Sequence, residues 1–196
     1  MSWAKEHKGA TRRRIVERAA ASFRGHGVDG IGVADLMKQA GLTHGGFYAH
    51  FGSKEDLVAE AFDQAFEETM AWLKDAADKA PADRRLEAVM DAYLSPLHRD
   101  HPESGCLIAA LGSEVPRHGG AARKTFTRRA TMLLDVLSDY MPAATHEMRR
   151  QQAEGTLAAM VGAIVIARGL DPDSGMRFLE ETKAFLLSRL PLPAKP

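Results

Sequence analysis

The chain has one cysteine, Cys106, so no internal disulfide can form, and a reducing compartment fits the composition. Neither sign of charge is in excess, since 26 Lys and Arg balance 26 Asp and Glu. No uncharged apolar run is longer than Leu157 to Ala167 (LAAMVGAIVIA). That is too short to span a bilayer, so it reads as a buried helix and no membrane partner is expected. The opening residues, MSWAKEHKGATRRR, lack the apolar stretch of a secretory leader, so a cytoplasmic protein is expected. No stretch alternates apolar and polar residues for long enough to make a strand. Internal repeats and low-complexity tracts are also missing, apart from a Pro-rich tail, PLPAKP, expected to be loose. What remains, 45% hydrophobic and 27% charged over 196 residues, is ordinary for a globular protein of one large or two small domains.

The zero net charge hides an asymmetry. Residues 1–54 hold nine Lys/Arg against four Asp/Glu, and the remaining 142 hold 17 against 22, so a head of +5 precedes a body of −5. His26, His44 and His50, three of the eight histidines, also fall between residues 25 and 54. A basic head on an acidic body suits a polyanion at the head, although scattered surface charge gives the same count without a partner.

Apolar spacing predicts an all-α chain. Ile15, Val16, Ala19, Ala20 and Phe23 stripe a first helix ending near Gly25–Gly27. Val33, Leu36, Met37 and Ala40 stripe a short second one, stopped by Gly41. A third piece runs from Thr43 to Phe51. Ser53 then caps a long helix with Asp56 at the capping-box position and a stripe of Leu57, Ala61, Phe62, Ala65, Phe66, Met70 and Leu73. Beyond Pro81, Asp83 is placed to cap a helix carrying Leu86, Val89, Met90, Tyr93, Leu94 and Leu97. HRDHPES reads as a loop, Cys106 to Val115 as a short apolar helix, and Phe126 to Tyr140 as the stripe of another. The last two helices are expected near 147–169 and 173–189.

The densest stretch is LTHGGFYAHFGSKEDL, residues 42–57. Helices at 33–40 and 43–50 joined by AGLT have the spacing of a helix-turn-helix, whose second helix enters the major groove by its N-terminal residues. Thr43 offers a hydroxyl as cap or phosphate donor, and His44 can reach a base edge. Gly45 and Gly46 let the backbone approach a duplex, or else mark a loop with no helix; each costs about 1 kcal/mol inside a helix. Phe47 and Phe51, at i and i+4, share an inward face. Tyr48 and His50 point elsewhere and can donate to phosphates. Lys54 adds a cation at a helix start, and Arg12, Arg13 and Arg14 can meet phosphates or the adjacent minor groove.

VADLMKQAGLTHGGFYAHFGSKEDL closely resembles the DNA-binding signature of the TetR family of transcriptional regulators. The resemblance is specific over roughly residues 10–60 and weak beyond. It implies a three-helix DNA-binding domain at 1–53 and a helical effector-binding and dimerisation domain at 54–196. By resemblance, Thr43, Tyr48, His50 and Lys54 match phosphate-contacting positions, and His44, Gly45 and Gly46 match positions near bases. One departure is Gly32, where many members place Ser or Thr as the cap of the second helix.

The resemblance further implies a homodimer on a near-palindromic double-stranded DNA operator, released by a small-molecule effector. No cofactor is expected. The dimer surface is expected on the last two helices, from Leu157, Val161, Ile164 and Val165 with Phe178, Leu179, Phe185 and Leu186. Trp72, Met90, Tyr93, Leu94, Leu107, Leu111, Phe126, Leu133 and Met160 are candidate walls of an effector cavity, and plain core packing would bury the same residues. Ser104 is placed to cap a helix with Cys106 in its first turn, where unpaired amides and His101 or His118 would favour a thiolate sensing electrophiles or oxidants. A buried, inert cysteine is the alternative, and some TetR-like regulators share its Gly-Cys-Leu context. The spacing of His98, His101, Glu103, Cys106 and His118 matches no zinc motif, so no metal is expected. Two other functions stay open: a small enzyme using Cys106 and a nearby His, and an architectural DNA-binding dimer without an effector.

Overall fold

The computed structural model describes residues 2–190, with side chains from residue 6 onward; PLPAKP, expected to be loose, lies outside the described residues. The described chain is all-α. Its helices are α1 (Ser2–His26), α2 (Val33–Gln39), α3 (Lys54–Asp78), α4 (Arg85–Tyr93), α5 (Pro96–Asp100), α6 (Leu107–Leu111), α7 (Gly120–Asp139), α8 (His146–Gly169) and α9 (Pro172–Arg189).

Local chemistry sets most of the boundaries. α1 ends at Gly27, whose φ of 80° is left-handed and favours glycine. α2 ends in a Schellman turn. Gly41, at φ 71°, donates to the Lys38 carbonyl at 3.0 Å and Leu42 to that of Met37 at 2.8 Å. The Ser53 hydroxyl accepts the Asp56 amide at 3.2 Å and starts α3. Thr145 and Asp171 cap α8 and α9 in the same way.

Other boundaries differ from expectation. Residues His44–Ala49 form a 3-10 helix rather than an α-helix, closed by bonds such as Gly46 N–H to the Thr43 carbonyl at 3.0 Å. Two glycines in so short a piece leave little propensity for a full α-turn. Asp83 caps nothing, because a 3-10 turn at Ala82–Arg84 precedes α4. Part of the expected loop is helical: Ser95 caps α5, with Pro96 at its first position, and Pro102–Ser104 forms a 3-10 turn. The helix expected from Cys106 to Val115 is only Leu107–Leu111.

The core runs without interruption from Ile15 to Leu186. α3 is its axis, packed against α1 on one side and α4 and α7 further along, while α8 and α9 close the far end. The expected α3 stripe is buried apart from half-buried Met70. The C-terminal half of α1 lies on Pro102–Ser104 and α6, so the first helix is tied to the body. Arg24 carries much of that tie. Its buried guanidinium donates to the carbonyls of Ala65 (3.4 Å) and Gly105 (3.3 Å) and pairs with Glu68.

Candidate nucleic-acid interface

Phe47 and Phe51 hold the 3-10 segment to the head. Both are buried and their rings stack at 5.4 Å, as the i, i+4 spacing requires. With these two turned inward, the rest of the segment faces out. Thr43, His44 and Gly45 are exposed and Tyr48 is 68% exposed. Thr43 stands at the cap position, yet its hydroxyl caps nothing, which leaves it available to a partner.

The glycines are not required by the fold. Neither has a positive φ. A Cβ on Gly45 would meet nothing within 4 Å, and one on Gly46 would sit 3.6 Å from Met37 Cε, an ordinary contact.

Two expected phosphate contacts are already engaged inside the protein. The Lys54 ammonium donates to the carbonyls of Val28 (2.7 Å) and Ile31 (2.9 Å), so it pins the α1–α2 turn, whose converging carbonyls need a donor. Arg12 pairs with Glu60, donates to the His50 carbonyl and lies 4.2 Å above the Phe51 ring. Arg13 and Arg14 are exposed and make no hydrogen bond or ion pair among the described residues. His50 is half-buried, and its Nδ1 is buried without a partner. Burial, and then the neighbouring Lys8 and Arg12 cations, hold its imidazole below the ordinary histidine range.

The head is latched to the body close by. Glu114 accepts the Val28 N–H at 3.0 Å; beside it, within the body, Glu55 at the start of α3 accepts the Gly119 N–H at 2.9 Å and meets His118 Nδ1 at 3.4 Å. Sequence reading missed Arg24 and Glu114, since no local pattern marks a contact between residues 86 positions apart.

The body treats its candidates differently. Cys106 is not in the first turn of a helix. It is the cap residue of α6, its side chain is fully buried, and the Ser104 hydroxyl turns back to the His101 carbonyl instead. The histidine beside it is His98, not His101 or His118. His98 Nδ1–H donates to the Tyr93 carbonyl at 2.7 Å, and Nε2 accepts the Cys106 backbone N–H at 3.0 Å. With both nitrogens committed to main chain, His98 is not a base for the thiol. Burial first, and then Arg168, lower its pKa to about 4. His101 pairs with Glu103 at the surface, and His118 faces Glu55. No group of three or more His, Cys, Asp or Glu among the described residues could hold a metal ion.

Of the candidate effector walls, Met90, Tyr93, Leu94, Leu107, Leu111, Leu133 and Met160 are buried core, while Trp72 and Phe126 are half-buried. None of the four open cavities measured is lined by any of them. The dimer candidates also divide. Leu157, Ile164, Leu179 and Leu186 are buried within the protomer, because α8 packs on α9 and α7, and α9 also meets α4. Val161 and Phe178 are half-buried; Val165 (50%) and Phe185 (56%) are exposed. Ile166 and Leu170, which sequence reading passed over, share that exposure. Positions 155, 162 and 169 on α8 are glycines seven residues apart where a Cβ would meet nothing, the first and last exposed and Gly162 half-buried. That spacing of seven was the signal that could have found the face.

Known proteins agree with this geometry. Residues 15–61 match the model of bacterial regulatory proteins of the tetR family. The HTH-type transcriptional repressor SCO4008 of Streptomyces coelicolor is 29% identical over 144 residues, covering 68% of this chain and 71% of that protein. The regulator TtgR of Pseudomonas putida is 38% identical over 63 residues, 32% of this chain and 30% of its own length. In fold, the chain superposes on a TetR-family transcriptional regulator from Agrobacterium tumefaciens with a TM-score of 0.77 at 20% identity, covering 93% of this chain and 98% of that one. No helix among the described residues is long and apolar enough to cross a membrane. Residues 15–61 thus match the tetR-family model, and the whole chain has the fold of a TetR-family transcriptional regulator.

Proposed function

We propose that this regulator is a repressor that binds a near-palindromic duplex as a homodimer, reads it with residues 43–50, and releases it when an effector binds the body. The head is residues 1–53, and residues 54–196 carry effector and dimer functions. Thr43, His44, Tyr48 and His50 meet phosphates and base edges, with Gly45 and Gly46 at the closest approach. Arg13 and Arg14 add phosphate contacts, while Lys54 and Arg12 act by holding the segment in place. The observation that carries the reading is Gly45. It sits exposed, at negative φ, with open space where a Cβ would be, so only a surface outside the protomer gives a reason for glycine there.

The dimer would form through the exposed face of α8 and α9, where Val165, Ile166 and Phe185 lie open and Gly155, Gly162 and Gly169 admit a close second helix. The relatives are transcriptional regulators, and a Cys106 enzyme has a fully buried thiol and an occupied histidine against it. One observation favours the effector-free dimer as a second reading: Met90, Leu107 and Met160, candidate walls among the middle helices, are all buried core residues.

Selection of bound sequences from random DNA, followed by affinity measurements on the recovered duplex, tests the reading. Gly45→Ala is expected to melt at the same temperature or higher and to lose at least tenfold in affinity. Full affinity in Gly45→Ala, or no preference among sequences at moderate salt, overturns it. Sedimentation of Val165→Asp tests the dimer face, with a shift to monomer expected.

A further inference from the structure

The apolar stripe of α1 that fills the head begins only at Ile15. Residues 2–14 therefore prolong the helix by about 20 Å ahead of its first core side chain, at 1.5 Å per residue. One and two turns before Val16, the same face carries Arg12 and then Lys8. The stripe turns from apolar to cationic where it leaves the head.

Arg12 fixes where that face looks. Its bond to the His50 carbonyl and its place over the Phe51 ring put it against the C-terminal end of the 3-10 segment. Lys8 stands one turn further out, about 6 Å along the axis. It is exposed and makes no hydrogen bond or ion pair among the described residues. The residue that Arg12 meets there is His50, half-buried, and both cations press its pKa down. Arg12 has Glu60 as counter-ion; Lys8 has none among the described residues. Arg12 is compensated by Glu60 and the Phe51 ring, whereas Lys8 faces the same corner with no such compensation. The arrangement becomes favourable once a phosphate enters it.

We propose that Lys8 and His50 together hold one backbone phosphate of double-stranded DNA just outside the bases faced by the 3-10 segment. The exposed first turns of α1 are then a separate, sequence-independent contact with the flanking duplex. This rests on the DNA-binding reading above and adds to it a position and a partner atom. A duplex is the occupant because the corner is continuous with the face that presents His44 and Tyr48, so a strand leaving that face passes Lys8 next.

The test uses the full chain and the duplex recovered by selection, once with long flanks and once trimmed to the recognised site. Affinity is measured across a salt series for the parent, Lys8→Ala and Lys8→Arg. On the long duplex, Lys8→Ala is expected to lower the slope of log affinity against log salt by about 0.9 per protomer. Trimming should weaken the parent and leave Lys8→Ala nearly unaffected. Lys8→Arg should behave as the parent, and all three should melt together. Equal slopes in parent and Lys8→Ala, or an equal loss of affinity on trimming, overturn the proposal while the DNA-binding reading stands. No retention of any duplex by the parent at low salt overturns both.

Discussion

The head and the body use the same residue types for opposite ends. In the head, Tyr48 and His44 stand in solvent, lifted there by Phe47 and Phe51 beneath them. In the body, Tyr93 and His98 are buried beside Cys106, with Trp72 against both rings. His98 has its nitrogens committed to main chain, and the Tyr93 hydroxyl is buried beside the Cys106 thiol. Burial, and then the neighbouring thiol, push that phenol well above its usual range. A polar aromatic is therefore presented to solvent in one place and committed to the core in the other. What separates them is whether a neighbour turns the side chain outward or covers it.

Three perturbations test that contrast. Phe47→Ala should have the largest effect, a loss of about 3–5 kcal/mol. The aromatic floor of the segment goes, so head stability and DNA retention should fail together in a chemical melt and a binding assay. A Phe47→Ala protein that still bound its duplex would show that the segment is held by something else.

Acid is next. The folded-state pKa of His98, about 4, lies below its ordinary 6.5. Unfolding then takes up a proton between those values. The stability His98 contributes is full above about pH 6.5 and is lost as pH falls toward 4, by up to about 3 kcal/mol. Melts from pH 7 to 4 with NMR titration of the ring check this; a His98 ring titrating near 6.5 would show that it is not committed to the core. Smallest should be Tyr48→Phe. Removing one exposed hydroxyl should leave the melting temperature unchanged and weaken DNA binding by about 1 kcal/mol, roughly fivefold. A lowered melting temperature would mean that Tyr48 serves the fold.

Much of the head was legible in the sequence because its signals are local. Gly27 and Gly41 sit at left-handed turns, Ser53 caps the helix it precedes, and Phe47 and Phe51 pack one turn apart. The body was less legible. Nothing in its order indicates that Ser104 turns back to His101 and leaves Cys106 as the cap, or that α5 interrupts the expected loop. Lys54 and Arg12 read as phosphate ligands because each is a cation beside the motif. Their actual partners, the Val28 and Ile31 carbonyls and Glu60, are 23 to 48 residues away.

Apolar period, capping side chains and turn glycines act within a few residues, so the order of amino acids alone was enough to specify an all-helical chain with a helix-turn-helix at its start. The tertiary structure decided which cations are free and which are tied, which of the α8 and α9 leucines are core, and that the lone thiol is sealed. Those outcomes depend on side chains brought together from distant positions. Their energy comes from burial and hydrogen-bond partners that no local pattern records.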